Sequence, residues 1–111
     1  MIEIQHNKIF LEDRVLQFNN KIIEAAEYAD RVVIVFETEE DGGYDNVFCY
    51  SMDSKLLWRI KRAPTDIGGT VRSSYVGVNV LDGQCRAIDF FGRRFLVDME
   101  NGHILSKDIV K

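Results

Sequence analysis

A recurring hairpin constrains this chain more than any other feature. At Val47 to Ile60, VFCYSMDSKLLWRI, two strand-favouring runs, Val47 to Tyr50 and Leu56 to Ile60, flank a polar turn at Ser51 to Lys55. Phe95 to Leu105, FLVDMENGHIL, repeats the pattern more weakly around a turn that holds Asp98, Asn101 and Gly102. Between the two copies, Tyr75 to Leu81 and Gln84 to Phe90 are joined by Asp82-Gly83, a pair suited to the positive φ angles of a type I′ turn. A chain that repeats hairpins folds as antiparallel sheet.

The remaining segments fit the same plan. Ile2, Ile4 and His6 alternate with Glu3 and Gln5, and together with Ile9 to Leu11 they predict a hairpin turning at Asn7-Lys8. Arg14 to Phe18 reads as the next strand, closed by Asn19-Asn20. Lys21 to Ala29 is ambiguous, because Ile22, Ala25, Ala26 and Ala29 match helical spacing and Asn20 is a good cap. The stretch is short, however, and runs directly into β-branched Val32 to Phe36. Two strands with a turn around Tyr28 to Asp30 are therefore expected, where a helix would have made the fold α+β. Val32 to Phe36 is apolar at every position, which predicts a central strand covered on both faces. Lys61 to Arg72, KRAPTDIGGTVR, is the longest loop candidate, with Pro64 and Gly68-Gly69 against regular structure. The expectation is one all-β domain over residues 1–111, an antiparallel hairpin meander of about ten short strands forming a sandwich or half-propeller.

With 111 residues, one core suffices, and 46% hydrophobic against 29% charged residues is the balance of a globular domain. The net charge of −4 opposes nucleic-acid binding by phosphate neutralisation and favours a basic partner. No apolar run reaches the ~18 residues of a membrane span. MIEIQHNK lacks the order of a signal peptide, so a cytoplasmic protein without membrane contact is expected. In that compartment Cys49 and Cys85 read as buried free thiols, and no metal site or cofactor is expected.

NVFCYSMDSKLLWRI resembles the blade hairpin of quinoprotein-type β-propellers through Asn46, Val47, Tyr50, Asp53, Lys55, Leu57 and Trp58, with Ser54 where that repeat usually has Gly. The terminal copy resembles it through Asp98, Gly102, Ile104 and Leu105, with Ser106 in place of Trp. The resemblance implies propeller-like blades but not the family's quinone, since this chain supplies too few strands for a closed ring with a central channel. The chain is also similar to small bacterial cytosolic proteins that pair an apolar strand, here Val32 to Phe36, with such a hairpin. Some acidic proteins of this size and architecture are immunity proteins of bacterial toxin systems, including contact-dependent inhibition.

Residues capable of chemistry are sparse. His6 and His103 stand far apart in no metal-ligand spacing, and Ser73 or Ser74 with His103 and Asp89 makes a triad only on paper, without a G-x-S-x-G elbow. Gly68-Gly69-Thr70 lacks the lysine of a phosphate loop, and Asp41 and Asp45 around Gly42-Gly43 do not match a calcium loop. Glu37, Glu39, Glu40, Asp41 and Asp45 form one acidic segment, with Tyr44 as an aromatic anchor. These six residues are the candidate partner-binding set, since concentrated negative potential speeds encounter with a basic surface. The expected function is a non-catalytic immunity protein that covers the basic active site of a toxin, a nuclease by preference, as monomer or homodimer. The alternatives are a generic interaction or self-assembly module and, less favoured, a small hydrolase.

Overall fold

The computed structural model describes residues 2–38 and 43–109. Its order is β1 (Glu3–Gln5), β2 (Lys8–Phe10), β3 (Val15–Gln17), β4 (Ile22–Tyr28), β5 (Arg31–Phe36), β6 (Val47–Ser51), β7 (Leu56–Arg59), α1 (Thr65–Gly68), β8 (Tyr75–Leu81), β9 (Gln84–Asp89), β10 (Arg93–Val97) and β11 (Ile104–Ile109). The strands form three antiparallel meanders: sheet 1 in the order β1-β2-β3, sheet 2 as β4-β5-β6-β7 and sheet 3 as β8-β9-β10-β11.

Sheet 2 is the middle layer, and β5 explains why. Its side chains alternate between two cores. Val33 and Val35 point with Cys49, Trp58 and Ile60 towards Tyr75, Val78, Phe95, Val97 and Ile104 of sheet 3. Val32, Ile34 and Phe36 point towards Ile9 and Leu16 of sheet 1. A strand polar on alternate positions could not have been sandwiched in this way, because each buried polar group would need a partner.

Residues 22–28 are strand, paired with β5 across a turn in which Ala29 takes a φ of 51°. The helical spacing of the alanines loses to pairing with a β-branched neighbour. The first hairpin turns one residue earlier than expected, at His6-Asn7, with Ile4 opposite Ile9. Asn7 fixes this turn by donating its amide to the Phe18 carbonyl at 2.7 Å. Asp82-Gly83 turns as expected, with φ angles of 53° and 73°.

The two repeated hairpins interlock. Trp58 on β7 donates its indole N–H to the Met99 carbonyl at 2.8 Å, across the gap between sheets 2 and 3. Its ring lies on Gly102, where an added Cβ would come 2.7 Å from Trp58 Cε3 and 3.0 Å from the Arg59 carbonyl. Lys61 N–H then bonds the Gly102 carbonyl at 2.9 Å. The segment expected as a long loop after β7 contains the single turn α1 and is tied down by Arg93, whose guanidinium bonds the carbonyls of Gly68 and Val71 and the Asp89 carboxylate.

Candidate functional site

Antiparallel order brings distant segments to one rim of the stack: the β1–β2 turn, residues 18–21, the end of β5 with the start of β6, the end of β7, and the turns before β8 and β10. Asn46 is the joint of this rim. Its buried side chain donates to the carbonyls of Phe36 and Tyr75 at 2.7 and 2.9 Å and accepts from the Tyr75 N–H at 2.7 Å, locking sheet 2 to sheet 3. Burial of that one amide fixes where the acidic segment returns to the sheet.

Of the six acidic-segment candidates, Glu37, Tyr44 and Asp45 are described, and Glu39, Glu40 and Asp41 lie outside the described residues. Glu37 is exposed, directly after β5. Asp45 is half-buried and its charge is met within the chain, since Arg72 Nη2 donates to Asp45 Oδ1 at 2.7 Å. The same guanidinium sits 4.7 Å from the centre of the Tyr44 ring. Arg59 donates to the Asp45 carbonyl at 2.8 Å and lies 5.0 Å over Phe48. The nine-residue acidic segment contains no Lys or Arg of its own, but the fold supplies Arg72 from the basic segment beside it.

Beside Glu37 opens a groove of about 860 Å³ between sheets 1 and 2. Its floor is aromatic: Phe36, Phe48 and Tyr50 with Phe18 leaning over them, Phe18 and Tyr50 having ring centres 4.8 Å apart and Phe36 and Phe48 5.4 Å. One wall is Gln17 to Lys21 with His6, and the other is Glu37, Thr38 and Gly43. Burial raises the Tyr50 hydroxyl above the ordinary phenol range. This groove was missed in the sequence because its floor comes from β5, β6 and the link after β3. The alternation of Phe48 and Tyr50 against Val47 and Cys49 was the one signal available for it.

The paper triad does not assemble as a working set. Asp89 is buried and saturated, bonding Arg93 Nε at 2.8 Å and the N–H groups of Phe91 and Arg93 at 3.0 and 2.9 Å. Ser73 turns its hydroxyl to the neighbouring Ser74 carbonyl, and His103 is exposed on the turn before β11. Under residues 61–72 lies a cavity of only about 30 Å³, lined by Arg62, Arg72 and Arg93 with Asp45 and Asp89. That is room for roughly one water.

Three stacked meanders with a groove at one rim define an all-β, propeller-like protein. Residues 1–109 match DUF7957, described as a domain of unknown function, and the chain belongs to that family. No curated protein matches it. Among solved structures it is similar to a β-propeller protein, in the crystal structure of BamB from Moraxella catarrhalis, with a TM-score of 0.58 and 13% sequence identity. The match covers 86% of this chain and 27% of that one, so the chain spans about a quarter of that neighbour's length. At this identity the likeness establishes the fold. Among the described residues, no helix is long and apolar enough to cross a membrane.

Proposed function

We propose that this chain is a non-catalytic protein-binding module, and more finely an immunity protein that neutralises a bacterial toxin in the cytoplasm by covering a basic active site. The observation that carries the reading is the open aromatic groove with Glu37, the first carboxylate of the acidic segment, at its margin. Aromatic side chains in a preformed concavity supply most of the energy of protein interfaces, and an adjoining field of one sign selects and steers the partner. Glu37 stands at the groove, Glu39, Glu40 and Asp41 follow it in the chain, and the protein as a whole carries −4.

A nuclease domain is the specific partner of choice, because a site that binds phosphates is basic and an acidic protein imitates its substrate. The structural neighbour supports the coarser part of this reading through its blade-like sheets alone. The self-assembly alternative has one observation in its favour, the strand edges that β1, β3, β7 and β11 leave at the margins of their sheets.

Affinity capture of the tagged protein from its native cells, followed by titration calorimetry, tests the proposal. A one-to-one complex with a basic toxin domain at ~nanomolar Kd, near −12 kcal/mol, is the expected result. Capture of this protein alone, with mass rising with concentration in sedimentation runs, moves the assignment to self-assembly.

A further inference from the structure

We infer that Phe90 and Phe91, at the tip of the β9–β10 turn, are a docking knob that enters an apolar pocket of the protein seated at the groove; the inference rests on the protein-binding reading and adds a second contact to it. Phe90 is 72% and Phe91 57% exposed, with ring centres 5.9 Å apart, and Val71, 59% exposed, adjoins them through Arg93. The turn itself does not call for them. Gly92 supplies the left-handed residue, with a φ of 82°, and Asp89 supplies the capping carboxylate, so positions 90 and 91 would accept polar residues. Two adjacent phenylalanines left in water are therefore a feature of the surface and not a demand of the fold.

The backbone beneath the two rings is held firmly. Phe91 N–H and Arg93 N–H both donate to Asp89 Oδ1, at 3.0 and 2.9 Å, while Gly92 N–H donates to the Asp89 carbonyl and Phe90 N–H to the Ser74 carbonyl, each at 3.0 Å. The Asp89 carboxylate is buried and paired with Arg93, whose guanidinium lies 5.8 Å from the centre of the Phe91 ring and also bonds the carbonyls of Gly68 and Val71. The turn is ordered by folding itself, so a partner that takes up the rings immobilises little more than their side chains. Ser74 precedes Tyr75, the residue through which Asn46 locks sheet 2 to sheet 3, and Asn46 also lines the groove. Knob and groove are thus fixed relative to one another on one rim.

Area and charge choose the occupant. At about 200 Å² for each phenylalanine, two copies meeting knob to knob would bury, even with Val71, roughly 700 Å² in all, short of the ~1,000 Å² that a specific interface needs. The knob alone is too small to hold a second copy. An anionic lipid surface is disfavoured by charge. The exposed cations of the segment tied to the knob by Arg93, Lys61 and Arg62, are opposed by exposed Asp66, Glu37 stands on the same rim, and the chain carries −4. The occupant is therefore an uncharged, apolar pocket on a protein whose contact continues along the rim to the groove. Phenylalanine is among the residues enriched at the desolvated cores of such interfaces.

The test compares the full chain with its Phe90→Ser/Phe91→Ser variant, using the protein that the original chain captures from its native cells. The variant is expected to unfold within about 4 °C of the original, because both side chains are exposed. It should leave the captured protein about 30-fold faster, with association rate and salt dependence unchanged, as loss of an apolar anchor requires. A benzophenone side chain placed at position 91 should cross-link on illumination to apolar residues of that protein. A dissociation rate within about twofold of the original, or no cross-link from position 91, overturns the inference while the protein-binding reading stands on the capture itself. If the original chain captures nothing, both fall. Cosedimentation with vesicles of phosphatidylcholine and phosphatidylglycerol, or self-association in sedimentation runs, either of them lost in the double variant, overturns the inference in favour of a lipid surface or a second copy.

Discussion

Ser54 takes a φ of 69°, the left-handed backbone that an L side chain adopts at a cost of roughly 1 kcal/mol and glycine adopts freely. It is the position at which the propeller hairpin usually has Gly, and Gly102 in the second copy has a φ of 80°. The sequence therefore showed the departure and the structure shows its consequence. Ser54→Gly is expected to stabilise the protein by about 0.5 kcal/mol after the added chain entropy, a rise of about 2–4 °C in Tm by calorimetry. The cysteines give a second prediction at this scale. Burial pushes the Cys49 thiol up from 9.0 to about 11 and the Cys85 thiol from 9.0 to about 12. Above pH 9 the unfolded chain loses thiol protons that the folded chain retains, so this contribution to stability is complete below pH 9 and is lost as pH rises towards those values. Urea midpoints should fall between pH 8.5 and ~10.5 by more in the original chain than in Cys49→Ser. A disulfide-forming thiol reagent at pH 8 should label both cysteines only after unfolding.

The strands were legible wherever side-chain alternation and turn chemistry agreed. Val32 to Phe36, Asp82-Gly83 and the hairpin around Trp58 all fold as their patterns require, and the Trp58 N–H finds the partner it needed at Met99. The first turn was displaced by one residue because both registers place Ile4 and Ile9 on one face; the bond from Asn7 to Phe18, a partner from another strand, decides between them. The helical turn at Thr65–Gly68 was hidden by Pro64 and the following glycines, whose conformations are fixed by Arg93, about a quarter of the chain away. The interlock of the two hairpins makes an element-scale prediction. Gly102→Ala meets both a positive φ and the Trp58 ring, and should cost roughly 3 kcal/mol in denaturant unfolding. The loss should shrink when Trp58 is first replaced by Leu, because the clash is between those two residues; equal losses in both backgrounds would show that the backbone angle alone is responsible.

For the whole molecule, charge was legible and its partners were not. Five carboxylates between Glu37 and Asp45 are plain in the sequence, but Arg72 stands 27 residues from the Asp45 it neutralises and only the fold joins them. The groove was illegible for the same reason, since Phe18, Phe36, Phe48 and Tyr50 meet only when sheet 1 folds over sheet 2. A basic partner should associate with electrostatic acceleration. Replacing Glu39, Glu40 and Asp41 together by their amides should lower the association rate about tenfold at low salt and flatten its salt dependence, while dissociation changes little. Unchanged rates across a stopped-flow salt series would remove that segment from recognition. The most direct measurement of the binding claim is hydrogen exchange on the full chain, alone and saturated with the protein it captures. Protection is predicted at residues 15–17, 36–38, 43–50 and 90–91, with the strands of sheet 3 unchanged. Protection confined to β8–β11, or a footprint absent altogether, would contradict a partner seated at the groove.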